Sequence, residues 1–272
     1  RTVTGVQTCA LPIYAVQRRA PTLLPTALTP VETRTAERVR LLESAWLIEW
    51  AINELTPMLP AAPAASWAGG EIARLEELRG RHHVALRLSK QYVPSYFSQG
   101  ITELPPDVWR RLFPIPYWDQ IQARAAESKL DPFLVAGLIR QESEFNPGAQ
   151  SRSNARGLMQ LLPSTAKLVA RKAPDARTRK YSVANLYTPS FNLTYGTMYL
   201  RSVIDKFNGS LEHAIASYNA GPNRVEQWLN DGTYEEPAEF VESIPFTETR
   251  EYVQAVLRNA QMYRQIYASP AN

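Results

Sequence analysis

The stretch Asp131-Pro132-Phe133-Leu134-Val135-Ala136-Gly137-Leu138-Ile139-Arg140-Gln141-Glu142-Ser143 reads as a helix whose start is written into it. A capping carboxylate at Asp131, followed by proline at the first helical position, opens it. Val135, Leu138, Ile139 and Glu142 recur at spacings of three and four, so the apolar stripe ends in a carboxylic acid. Burial disfavours the charged form of that acid, and the partial negative charge of a helix C-terminus does the same. A proton held near neutral pH is what a general acid needs. Glu144, two residues on and rotated by ~200°, is expected on the opposite face. Taken alone, the helix also admits a plainer account, a solvated glutamate at a helix end.

Working outward, Asn146-Pro147 ends this helix, and a polar stretch with Ser151 and Asn154 leads into Gly157-Leu158-Met159-Gln160. Pro163-Ser164-Thr165 opens the next helix, and Ala216-Ser217-Tyr218-Asn219-Ala220-Gly221-Pro222 closes a later one on a Gly-Pro stop. Periodicity predicts helices near 117–128, 131–143, 164–172, 189–207, 210–219, 223–229, 236–244 and 247–267. No strand-like alternation of useful length appears, so 114–272 is expected to be all-α with at most a small irregular β element.

Upstream, Leu42, Ala45, Ile48, Ile52 and Leu55 predict one helix from Thr35 to about Leu59, stopped by Pro57 and Pro60. Ile72, Leu75, Leu78, Val84, Leu88 and Tyr92 predict a second over 71–92, after a break at Gly69-Gly70. Such pairs stack into solenoids, so 36–113 reads as an α-superhelical fragment. Pro105-Pro106 and Pro114-Ile115-Pro116 mark the expected boundary with the unit 114–272. The proline- and threonine-rich segment 14–35 reads as an irregular linker. Val3 to Ile13 resembles the translation of a sequencing-library adapter, which makes Cys9 an artefact and places the true start upstream.

Composition narrows the chemistry. With 44% hydrophobic residues the 272-residue chain can bury a sizeable core, yet no apolar run approaches the ~18 residues of a membrane span. The net charge of +4 comes from intermixed acids and bases, a weak case for nucleic acid, which is not expected as a partner. One cysteine and three histidines cannot form a Cys/His zinc site, so no metal or cofactor is expected and catalysis falls to carboxylates, hydroxyls or amides. Lys167, Arg171, Lys172, Arg177, Arg179 and Lys180 form one basic run, either a solvated loop or an attraction for anionic wall polymers.

Four motifs in order carry a resemblance to a known family: Glu142-Ser143, Gly157-Leu158-Met159-Gln160, Ser217-Tyr218-Asn219-Ala220-Gly221, and Ile244-Pro245-Phe246 with Thr249-Arg250. Together they resemble the catalytic domain of soluble lytic transglycosylases, which cleave the glycan strands of bacterial peptidoglycan. The resemblance covers nearly all of 114–267, and Asn185-Leu186-Tyr187, Pro189, Asn192, Gly196 and Tyr199-Leu200 also fit. It implies a lysozyme-like α fold with minimal β structure, preceded by the end of an α-solenoid. It further implies Glu142 as single catalytic acid/base, Ser151 as a polar neighbour, and Met159, Gln160, Tyr218, Asn219 and Glu242 along the sugar groove. Plainer roles stand beside two of these, since Met159 suits core packing equally and Glu242 suits an exposed surface. Asn154 stands where glycine is expected, and Ser217 where alanine is usual; asparagine tolerates a left-handed backbone and serine is small.

The resemblance implies peptidoglycan strands as partner, cell-wall synthesis or remodelling proteins meeting the upstream helices, a monomer, and a periplasmic location. With one inward carboxylate, the two-acid scheme of ordinary glycosidases is not met, and the implied product is a 1,6-anhydro muramic end formed without water. Three other readings compete. Ser164-Thr165-Ala166-Lys167 matches the S-x-x-K of serine acyl-transferases, although a helix-start cap explains it sufficiently. A goose-type lysozyme would need a second acid, and a non-catalytic glycan-binding protein would leave Glu142 without a task.

Overall fold

The computed structural model describes residues 28–60, 64–173 and 181–268. The adapter-like segment, Cys9 and half of the basic run (Arg177, Arg179 and Lys180) lie outside them. Among the described residues the regular elements are all helices, joined by loops, with only the isolated antiparallel bridges Gln150–Arg156 and Arg156–Leu161 between extended residues.

Four helices form the N-terminal part: α1 (Pro30–Ser44), α2 (Ile48–Leu55), α3 (Ala64–Leu78) and α4 (His82–Tyr92). Two were expected. The first splits at Trp46, whose φ of 59° is incompatible with a continuing helix, and the second splits at Gly80, with φ 72°. Gly69 and Gly70, read as a break, lie inside α3. A Cβ at Gly69 would stand 2.1 Å from the Tyr92 ring, so the missing side chain lets α4 close on α3. The hairpins enclose a small core of Val39, Ile48, Ala51, Leu55, Ala68, Ile72 and Leu75.

The main core is built by α5 (Pro106–Leu112), α6 (Trp118–Glu127), α7 (Pro132–Glu142), α9 (Pro189–Lys206), α10 (Leu211–Ala220), α11 (Pro222–Asp231), α12 (Pro237–Ser243) and α13 (Thr247–Tyr267). The short α8 (Pro163–Lys172) covers a third cluster around Ala166, Ala170 and Tyr195. The core crosses the expected boundary at Pro114, because Tyr96, Leu104, Trp109, Leu112 and Phe113 belong to the same cluster as α7 and α13. Tyr263 seals this junction: its ring meets Phe113 edge-on at 5.4 Å, and its hydroxyl donates to the Pro114 carbonyl at 2.9 Å. An aromatic pair of this kind contributes ~0.5–1.5 kcal/mol beyond the area it buries.

Helix α7 runs through the middle of this core, and its start is as read: the Phe133 amide donates to Asp131 Oδ1 at 2.8 Å. The amphipathic stripe is a correction, however, since every residue from Leu134 to Arg140 is buried. Helix α13 lies antiparallel along it. Asp131 pairs with Arg264, Gly137 meets Ala260, and Glu142 meets Tyr252, in that order.

Candidate active site

Glu142 is the last residue of α7, and Ser143 caps the helix. The chain then turns sharply through Glu144 and Phe145, with φ of 52° and 64°. A left-handed phenylalanine is unusual, and here the ring is 2% exposed, so its burial in the core holds the turn. The turn corrects the reasoning for Glu144, which is no longer on the helix. Its carboxylate is tied to α4, accepting from Lys90 Nζ at 2.7 Å and Arg87 Nε at 2.9 Å, and the two cations hold it below the ordinary carboxylate range against its own burial.

The loop from Asn146 to Leu162 wraps back over the helix end. Ser143 Oγ donates to the Leu158 carbonyl at 2.7 Å. Fully buried Asn192 on α9 clamps the loop from below. Its Oδ1 accepts the Met159 amide at 2.7 Å, and its Nδ2 donates to the carbonyls of Arg156 and Leu186 at 2.8 Å each. Gly157 is obligatory here, because φ is 76° and a Cβ would stand 2.1 Å from the Leu186 oxygen. Asn154 has φ 66°, as an asparagine in a glycine-like position can.

The loop places the expected groove residues unevenly. Met159 is fully buried and packs on Gly196, forming the wall behind the site and not a groove surface. Gln160 Nε2 turns inward to the carbonyls of Gly157 and Ala149, at 2.8 and 3.2 Å. Ser151 Oγ accepts the Ala155 amide at 3.0 Å and shapes the loop. Tyr218 OH donates to the Met159 carbonyl at 2.9 Å, and its ring lies 5.1 Å from that of Tyr199. Asn219 reaches the cleft, its Oδ1 accepting from Thr249 Oγ1 at 2.7 Å. Glu242 is exposed and accepts from Gln254 Nε2 at 2.9 Å; it does not line the cleft.

The cleft itself measures ≈ 560 Å³ and is lined by Glu142, Asn219, Tyr252, Ala255 and four polar residues of α13, together with Gln141. Those four are Glu248, Glu251, Gln254 and Arg258, none of which was expected. Tyr252 was also missed as a partner: its hydroxyl donates to Glu142 Oε1. The one available signal was the spacing Glu248, Tyr252, Ala255, which puts two polar side chains on a single face of the last helix. Burial pushes the Glu142 carboxyl up to about 7, with the Tyr252 hydrogen bond pulling the other way. The phenols of Tyr252 and Tyr218 are pushed well above their ordinary range by burial and by the nearby Glu142 charge, so both stay protonated. The enclosure thus has one group ready to exchange a proton near neutral pH.

A helical domain with one carboxyl raised by burial beside a polar cleft has the arrangement that general acid–base chemistry on a polar ligand uses. Residues 119–240 match the family described as the transglycosylase SLT domain. Residues 243–271 match the soluble lytic transglycosylase helical domain, at the opposite end of the chain from the predicted solenoid segment. The soluble lytic murein transglycosylase of Salmonella typhimurium is 38% identical over 155 residues, which are 56% of this chain and 23% of that protein. The solved structure of an inactive variant of lytic transglycosylase Slt from Pseudomonas aeruginosa superimposes with a TM-score of 0.68 at 30% identity, covering 91% of this chain and 39% of that one. The 70 kDa soluble lytic transglycosylase of Escherichia coli gives 0.65 at 27% identity, over 89% and 37%. The chain therefore contains a transglycosylase SLT domain and is a homologue of soluble lytic murein transglycosylases, spanning well under half the length of these relatives.

Proposed function

We propose that this chain is the catalytic part of a peptidoglycan lytic transglycosylase, with Glu142 as its single acid/base. The observation that carries the reading is the enclosed Glu142 carboxyl, raised to about 7 and bonded by Tyr252 at the cleft. With Oε1 accepting from Tyr252, the proposed mechanism assigns the acidic proton to Oε2. Glu142 gives that proton to the oxygen joining C1 of N-acetylmuramic acid to C4 of N-acetylglucosamine, and the C1–O bond breaks. The carboxylate so formed keeps the Tyr252 hydrogen bond, which favours its charged form. It then removes the proton from the muramic C6 hydroxyl as that oxygen bonds to C1, which restores the acid and closes a 1,6-anhydro ring. The intramolecular attack is favoured because an oriented group acts at an effective molarity of ~10⁵ M or more.

Residues 36–113 are assigned to the end of an α-superhelical region, and the periplasm to the protein's location. The name of the Salmonella homologue, soluble lytic murein transglycosylase, supports the substrate. Mass spectrometry of digested sacculi tests the reaction: released muropeptides are each one water lighter than lysozyme products and resist borohydride. Predominantly reducible ends overturn the reading. They would point to Glu248 or Glu251 as a base for water, since these acids line the cleft and Glu242 does not.

A further inference from the structure

A second cavity, ≈ 310 Å³, lies between the facing sides of α1 and α3 and shares no residue with the cleft. Ala36, Val39, Arg40 and Glu43 recur at spacings of three and four along α1, and Trp67, Glu71 and Arg74 do so along α3, so each set shares one helix face. Arg74 donates to both oxygens of Glu43, at 2.7 Å each, and from Nε and Nη2 to Glu71 Oε2, at 3.2 and 3.1 Å. This fork holds Glu43 below the ordinary carboxylate range, so Glu43 stays charged and its remaining lone pairs are strong acceptors. Glu71 Oε1 has no hydrogen bond among the described residues, and neither has the exposed guanidinium of Arg40. Trp67 packs against the small N-terminal core and is only half-buried.

Two carboxylates and two guanidiniums leave the cavity without net charge, so it favours neither an anion nor a cation. Fixed acceptors, an unpaired planar donor and a partly exposed indole suit a neutral ligand with hydroxyls around its rim and an apolar face. Resting on the function proposed above, the substrate supplies one: the N-acetylglucosamine unit of a strand bears no peptide and no charge, and its ring has a C–H face. Rigid contacts also link the cavity to the cleft. Gly69, two residues after Trp67, closes on Tyr92. Phe97, five residues further and so within about 18 Å of chain, lies 4.3 Å from the guanidinium of Arg258 at the cleft. A strand held at both places binds the second one intramolecularly, which raises affinity for long strands over short ones. We propose that Trp67, Glu43, Glu71 and Arg40 bind an uncharged N-acetylhexosamine unit and so hold long glycan strands at a second point.

The test titrates the full chain carrying Glu142→Gln with a tetramer of N-acetylglucosamine, a probe without carboxylates. It follows the indole N–H resonance of Trp67, assigned through Trp67→Phe, while the side-chain amide of Gln254 reports the cleft. The Trp67 resonance should shift saturably. Glu71→Gln and Arg40→Gln should each weaken its midpoint about tenfold, the size expected for losing a charged hydrogen bond, and leave the Gln254 midpoint unchanged. Both variants should fold, because Arg40 is exposed and Glu43 still pairs with Arg74. A Trp67 resonance that stays put, or a midpoint unchanged in both variants, overturns the proposal. An equal weakening at Gln254 would assign these residues to structure and overturn it as well. With Glu142 restored, the same two changes should raise KM on sacculi at unaltered kcat, and an unchanged KM overturns the second holding point. Reducible ends from the wild type would overturn the function reading alone, since the probe binds without turnover.

Discussion

Gly137 of α7 lies so close to α13 that a methyl group there would stand 2.8 Å from the Ala260 amide nitrogen and 3.0 Å from the Val256 carbonyl. This backbone contact sets the spacing between the helices that carry Glu142 and Tyr252. Gly137→Ala gains up to about 1 kcal/mol of helix propensity but must push rigid backbone aside, a cost of about 1–3 kcal/mol. Thermal unfolding should show a lowered Tm, with turnover falling by more than the folded fraction alone explains. A raised Tm with full activity would show that the helices separate freely.

Glu142→Gln should keep fold and glycan binding and lose turnover by at least ~10² to 10⁴-fold, since the amide donates no proton to the leaving oxygen. Glu144→Gln, next to Arg87 and Lys90, should cost activity little. Initial rates on sacculi decide it, and equal losses would refute the separation of the two acids. The inactive variant of the Pseudomonas relative replaces a glutamate by glutamine in the same way.

Glu142 binds its proton more tightly in the folded chain than in the unfolded one, at about 7 against 4.5. Its contribution to stability is therefore fully present below pH 4.5 and is lost as pH rises through 7. Glu142→Gln, which never ionises, should gain stability relative to wild type across that window. Paired melting curves at pH 5 and pH 8 test the sign, and a gap that narrows at pH 8 contradicts it.

Tyr252→Phe removes the hydrogen bond that lowers the Glu142 pKa, so that pKa should rise further. The proposed mechanism uses the protonated acid, so the alkaline limb of the kcat/KM profile should move to higher pH while the maximal rate falls. A limb that stays in place would deny Tyr252 any hold on the acid.

Asn192→Leu removes three hydrogen bonds at once and leaves the Met159 amide and two carbonyls buried without partners. The expected loss is about 2–4 kcal/mol, read from denaturant midpoints. Asn192→Asp keeps only the acceptor for Met159 and should lie between wild type and the leucine variant.

The helical class, the cap at Asp131, the end of α7 and the acid at Glu142 were legible in the sequence, because capping groups, proline and a period of 3.6 act over a few residues. The same locality hid the breaks at Trp46 and Gly80. It also misread Gly69, whose missing side chain answers to Tyr92, a residue 23 positions away. The stripe on α7 proved incidental, since a helix surrounded by others is apolar on every side. Only the packing of α13 against α7 decided that Tyr252 holds Glu142 and that Glu248, Glu251 and Arg258 line the cleft with it. Residue types can announce a buried acid, but which groups share its enclosure depends on how helices 110 residues apart cross, and no local pattern encodes that crossing.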